Sequence, residues 1–104
     1  MIIVPTRELA EQIFKEARKL LHKTGIEVTQ IYGGVPHGGQ ISELKSGMDI
    51  IVATPGRLLD FIESKLILLK KIKYFIIDEA DRILEMGFEQ QLNAIIFGKG
   101  IFKI

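Results

Sequence analysis

Four short apolar runs, each closing on a polar turn that leads into a helical pattern, constrain this chain more than any other feature. They occupy residues 1–4, 26–32, 49–53 and 74–77. Stretches such as Ile50-Ile51-Val52-Ala53 and Phe75-Ile76-Ile77 do not alternate apolar with polar side chains. Continuous β-branched runs belong to strands covered on both faces, the signature of a parallel sheet. Between the first two runs, Leu9, Ile13, Ala17, Leu20 and Leu21 recur at helical spacing within residues 6–23, and Gly25 stands just beyond as a stop signal. Leu58, Leu59, Ile62 and Leu66 make a second stripe after Pro55, and Phe88, Leu92, Ile95 and Ile96 a third after Gly87. Residues 38–46 read as a weaker helix with Ile41 and Leu44 as its apolar side chains. Strands alternating with helices imply right-handed βαβ crossovers and an α/β fold, a parallel sheet with flanking helices.

Ligands of an open parallel sheet gather beyond the carboxyl ends of its strands. Here those ends carry Pro5-Thr6-Arg7-Glu8, Gly33-Gly34, Thr54-Pro55-Gly56-Arg57 and Asp78-Glu79-Ala80-Asp81. Thr6 and Thr54 suit the N-cap of a helix, and Pro55 suits its first turn. Arg7 and Arg57 then fall where the helix end is already positive, a placement that costs roughly 0.3–1 kcal/mol. Two arginines at equivalent junctions point to an anion that both face, unless each pairs with a neighbouring carboxylate such as Glu8 or Asp60. Gly33-Gly34 reads either as a turn or as a place where another backbone comes close. Asp78 and Glu79 end an apolar strand, with Asp81 close behind. Such carboxylates either hold Mg²⁺ through its waters or complement the dipole of the helix that starts there.

Several other chemistries are excluded. Fourteen Lys and Arg against thirteen Asp and Glu leave a net charge of +1, so anion binding must come from a few placed groups rather than bulk charge. With no cysteine, a disulfide scaffold, a thiolate metal site and a cysteine nucleophile are all ruled out. The opening apolar run is too short for a signal peptide, and no stretch has the length of a membrane span. Counted from Gly33, a phosphate-binding loop fails because Gly39 stands where lysine is required and Gln40 where a hydroxyl is required. Residues 93–100 fail the same test at Asn93 and Gly100. A calcium loop starting at Asp78 fails at Ile83, the position that demands glycine. His22 and His37 are too isolated for a zinc site.

Taken together, the four junctions resemble the first half of a DEAD-box RNA helicase core, over most of the chain. Pro5-Thr6-Arg7-Glu8-Leu9-Ala10 resembles motif Ia of that family, Gly33-Gly34 its GG doublet, Thr54-Pro55-Gly56-Arg57 its motif Ib and Asp78-Glu79-Ala80-Asp81 its motif II. The trailing Arg82-Ile83-Leu84-Glu85-Met86-Gly87-Phe88 fits as well. The resemblance implies a truncated RecA-like, three-layer α/β domain of the phosphate-loop NTPase type. It also implies an activity in which two such domains close over ATP, Mg²⁺ and RNA and open a few base pairs. Asp78 and Glu79 would then handle Mg²⁺ and the attacking water, and Asp81 would couple the nucleotide site to the RNA site. Pro5, Thr6, Arg7, Gly33, Gly34, Thr54, Pro55, Gly56 and Arg57 would line a sequence-independent track for the RNA backbone.

The family's Q motif, Walker A loop, Ser-Ala-Thr motif and second domain have no counterpart in residues 1–104. ATP and Mg²⁺ are therefore expected to serve the parent enzyme, while these residues alone bind neither appreciably and do not hydrolyse ATP. Strands lying beside motif II in the family are missing too. Phe75-Ile76-Ile77 is accordingly expected to form an open edge that favours self-association. Residues 97–104 fit no motif and are expected to be poorly ordered or tucked against that edge. Two other readings compete with an enzyme. One is a passive RNA-binding module with a vestigial acidic motif. The other is a small Mg²⁺-binding regulatory domain, which needs a second acidic cluster that Glu8 alone supplies poorly.

Overall fold

The computed structural model describes residues 1–97. In chain order the elements are β1 (Ile2–Ile3), α1 (Arg7–Leu20), β2 (Val28–Ile31), α2 (Gly38–Lys45), β3 (Ile50–Ala53) and α3 (Pro55–Glu63). A 3₁₀ turn at Leu69–Lys71 leads to β4 (Ile76–Ile77), α4 (Ala80–Glu85) and α5 (Glu89–Ile96). The strands form one parallel sheet in the order β2-β3-β1-β4. Its register aligns Ile3 with both Ala53 and Ile77, and Ala53 with Ile31, so all four strands finish at nearly the same level.

Burial on both faces follows from the unbroken apolar runs of β1 and β3, whereas β4, read from sequence in the same way, leaves Ile76 exposed because it lies at the sheet edge. Ile3, Ile31 and Ala53 face a core shared with Leu58, Phe61 and Ile62 of α3, Ile83 of α4, and Leu92 and Ile95 of α5. Val4 and Val52 face the opposite side, against Ala10, Leu9 and Ile13 of α1. The result is three layers: α1 below, the sheet, and the remaining helices above. β2 contains one buried polar side chain, Thr29, whose hydroxyl donates to the Glu43 carboxylate on α2.

Two boundaries differ from the sequence pattern. Leu66 continues the apolar stripe of α3 but lies outside the helix, because Lys65 turns left-handed at φ 61°. The Phe61 carbonyl then receives the amides of Leu66 and Ile67. The first helix stops at Leu20, before Lys23 and Gly25 take up positive φ. Of the terminal stretch 97–104, Phe97 is half-exposed and the rest lies outside the described residues. Among the described residues, no helix is long and apolar enough to cross a membrane.

Candidate functional site

The common level of the strand ends brings the four junctions onto one rim. Reading across the sheet, they follow in the order Gly33-Gly34, Thr54 to Arg57, Thr6-Arg7, and Asp78-Glu79. Backbone bonds fix the spacing: the Thr54 amide donates to the Ile31 carbonyl at 2.9 Å, Val4 to Ala53 at 2.9 Å and Asp78 to Ile3 at 3.0 Å.

At the motif Ia junction, Pro5 is buried and Thr6 caps α1, its hydroxyl accepting the Leu9 amide at 3.2 Å. Arg7 is exposed. Its Nε donates to Glu11 Oε1 at 3.1 Å, and its guanidinium lies 4.9 Å from the centre of the Tyr32 ring. The Tyr32 hydroxyl donates to the same Glu11 oxygen at 3.3 Å. Hydrogen bonding from Arg7 holds the Glu11 carboxyl below its ordinary range, and the same bond raises Arg7 further. The carboxylate beside Arg7 is therefore Glu11, one helical turn on, rather than the adjacent Glu8.

The second arginine behaves differently. Thr54 sits at the N-cap of α3 in extended conformation and makes no capping bond, which leaves its hydroxyl uncommitted. Pro55 is buried at the first turn and Gly56 follows it. Arg57 turns away from Asp60 and into the GG loop. Its Nη2 donates to the Val35 carbonyl at 3.0 Å, and the guanidinium lies 5.9 Å from the Phe61 ring centre. Its Nη1 is buried without a hydrogen-bond partner. Gln40 of α2 holds the other end of the loop, donating from Nε2 to the Tyr32 carbonyl at 3.2 Å. Of the two glycines only Gly34 requires its residue type for conformation, at φ 82°, and a Cβ at either would meet nothing within 4 Å. Within the described residues, no other backbone makes the close approach allowed for at this doublet.

At the motif II junction, Asp78, Glu79 and Asp81 are all exposed. Glu79 adopts left-handed backbone angles, φ 53° and ψ 50°, at the N-cap of α4, and its Oε2 lies 3.8 Å from Arg82 Nη1. Asp81 falls in the first turn of α4, where it also complements the helix end. Among the described residues, no three acidic, histidine or cysteine side chains converge as a metal cage. Exposed, unconverged carboxylates do fit a hydrated Mg²⁺, an ion that keeps several waters and takes much of its coordination from substrate phosphates. A cavity of about 840 Å³, lined by Ile2, Met48, Leu66, Leu68, Ile72, Tyr74 and Ile76 among others, contains none of the rim residues.

A family model for the DEAD/DEAH box helicases matches residues 1–98. The chain belongs to the DEAD/DEAH box helicase family. Two plant relatives, DEAD-box ATP-dependent RNA helicase 30 of Arabidopsis thaliana and 52A of Oryza sativa subsp. japonica, are each 50% identical over 96 residues, covering 92% of this chain and 16% of the relative. A crystal structure of a hypothetical ATP-dependent RNA helicase from Sulfolobus tokodaii superposes with a TM-score of 0.85 at 41% identity, covering 91% of this chain and 29% of that one. The DEAD-box chain described here thus spans about a sixth of the length of its plant relatives. The likeness to a solved helicase confirms the RecA-like α/β architecture expected from the motifs.

Sequence reasoning reached the four junctions but missed the side chains that brace them. Glu11 was legible as the i,i+4 partner of Arg7. Tyr32, Gln40 and the Val35 carbonyl carry no local signal. They are brought to the rim only by the return of β2 and α2.

Proposed function

We propose that residues 1–104 are part of the first RecA-like domain of an ATP-dependent RNA helicase, which couples ATP hydrolysis to local opening of an RNA duplex. What supports this reading is the single rim shared by four junctions, with a backbone-gripping side and an acidic corner next to each other. The relatives' names carry ATP and RNA to this chain by similarity.

Along the rim, Thr6, Arg7, Gly33, Gly34, Thr54 and Gly56 form the track for the RNA backbone, with Pro5 and Pro55 buried beneath it and Arg57 bracing the GG loop. The Thr54 hydroxyl is open to a phosphate oxygen, Arg7 brings charge, and Gly34 lets the loop turn without a side chain in the path. Such groups position phosphates and read no bases, which makes binding independent of sequence. At the acidic corner, Asp78 and Glu79 would hold the hydrated cation and orient the attacking water, and Asp81 would link this corner to the RNA side. Bound Mg²⁺ supplies charge neutralisation at the transferring phosphate.

Phosphoryl transfer depends on positioning and charge supplied by many parts together. A polypeptide of these 104 residues is therefore expected to bind ATP negligibly and not to hydrolyse it, even when circular dichroism shows it folded. Detectable turnover by that polypeptide would overturn this assignment. The reading as a whole is tested by titrating RNA into the full-length protein over a salt series, with and without ATP and Mg²⁺. Salt-dependent binding that responds to nucleotide is the expected result, and Glu79→Gln is expected to lose ATP hydrolysis while keeping that nucleotide-responsive RNA binding. Salt-dependent binding that is indifferent to nucleotide would favour a passive RNA-binding module instead.

A further inference from the structure

Tyr32 touches Arg7 of the rim and two side chains that brace it, Glu11 and Gln40, and none of its three contacts follows from the motifs. The residue sits between the end of β2 and Gly33. Its carbonyl accepts from Gln40 on α2, its hydroxyl donates to Glu11 on α1, and its ring lies against the Arg7 guanidinium. Since β3 separates β2 from β1 in the sheet, this contact joins two junctions that are not neighbours.

We infer that Tyr32 is a positioning residue for RNA binding: its ring face and its bond to Glu11 hold the Arg7 guanidinium in a fixed place above the rim. The inference rests on the RNA reading proposed above. Arg7 keeps 47% of its side chain exposed and would otherwise turn freely about its long stem. The Glu11 bond ties only Nε, leaving rotation about that bond to be limited by something else. An aromatic face within about 6 Å of a guanidinium attracts it and restricts that rotation. Glu11 receives both Arg7 and Tyr32 on one oxygen, so the three side chains constrain one another. Gln40 anchors the backbone at Tyr32, and the ring stays where the loop and α1 meet. A guanidinium fixed in advance loses less freedom when it meets a phosphate.

A merely structural tyrosine is the competing explanation, because the ring also touches the core beneath α1. The test separates them by the salt dependence of binding, which counts phosphate contacts rather than stability. With a short fluorescent oligouridylate and the full-length protein, Arg7→Ala is expected to reduce the slope of log K against log salt by about 0.7, one contact on a single strand. Tyr32→Leu is expected to reduce it equally, and the double variant no further than either. Tyr32→Phe keeps the ring face and loses only the bond to Glu11, and is expected to give a slope between those of the wild type and the leucine variant. A Tyr32→Leu variant with lower thermal stability but an unchanged slope, or one whose loss adds to that of Arg7→Ala, would overturn the inference while leaving the RNA reading intact. So would a Tyr32→Phe variant as impaired as the leucine one. An unchanged slope in Arg7→Ala would remove the RNA reading itself, and this inference with it.

Discussion

Arg57 Nη2 donates to the Val35 carbonyl at 3.0 Å, tying the start of α3 to a loop 22 residues earlier in the chain. The bond explains how an arginine tolerates the positive end of a helix: its charge is turned onto a carbonyl dipole and an aromatic face instead of remaining at the helix end. Removing it leaves the carbonyl short of a partner and the Phe61 ring uncovered. Arg57→Met, which keeps the stem, is expected to lower unfolding free energy by about 1–2 kcal/mol in urea titration. Arg57→Lys restores the charge but not the planar fork that can bond Val35 while lying beside Phe61, and is expected to recover less than half of the loss. A lysine variant as stable as wild type would show that charge alone suffices.

The Arg7–Glu11 pair makes a statement about pH. Its hydrogen bond holds the Glu11 carboxyl below the ordinary glutamate range, so the pair's contribution is complete above that range and fades only as pH falls through the lowered folded value. Between pH 6 and 8 the contact is expected to be unaffected. An NMR titration of the Glu11 side-chain carboxyl should give a midpoint below that of an unpaired glutamate, and Arg7→Ala should raise it. A midpoint that ignores the Arg7 substitution would show that the bond is not populated in solution.

The sheet was legible because both-face burial writes itself into unbroken runs such as Ile50 to Ala53. The level rim followed from them, since parallel strands of similar length put all their carboxyl ends on one side. Helix α1 was legible from its apolar stripe. Leu66 was misplaced because periodicity does not register a left-handed residue, and Lys65 carries no sign that it adopts one. The partners of the two arginines divide along the same line. Glu11 lies within one helical turn of Arg7 and could be read from spacing. Val35 and Tyr32 reach their arginines only through tertiary return of the chain, a distance over which local pattern carries no information.

Strand β4 pairs with β1 on one side only, through the Ile76 amide to Met1 and the Asp78 amide to Ile3. Ile76 is 55% exposed and Tyr74 78% exposed. Among the described residues no strand covers the outer edge, and an apolar edge of this kind templates pairing with another chain. The 104-residue polypeptide is expected to grow in mass with concentration in light scattering. Ile76→Lys should suppress that growth and leave the circular dichroism spectrum unchanged. A clean monomer at high concentration before any substitution would count against the open edge.

Glu79 holds left-handed backbone angles at the residue to which the proposed function gives the attacking water. Left-handed backbone angles disfavour a non-glycine residue by roughly 1–2 kcal/mol, whereas glycine there adds back about 0.4–1 kcal/mol of unfolded-chain entropy. The contact with Arg82 spans 3.8 Å between half-exposed groups and contributes little on either side of this comparison. Glu79→Gly is therefore expected to leave stability unchanged or to raise it by up to about 1.5 kcal/mol in urea unfolding. If the side chain orients the attacking water, the same variant of the full-length protein should lose at least about a hundredfold in ATP hydrolysis. The two readouts move in opposite directions only when the turn is held strained for the sake of the carboxylate. A variant that is both less stable and inactive would mean that Glu79 supports the fold. One that hydrolyses ATP normally would remove Glu79 from the chemistry.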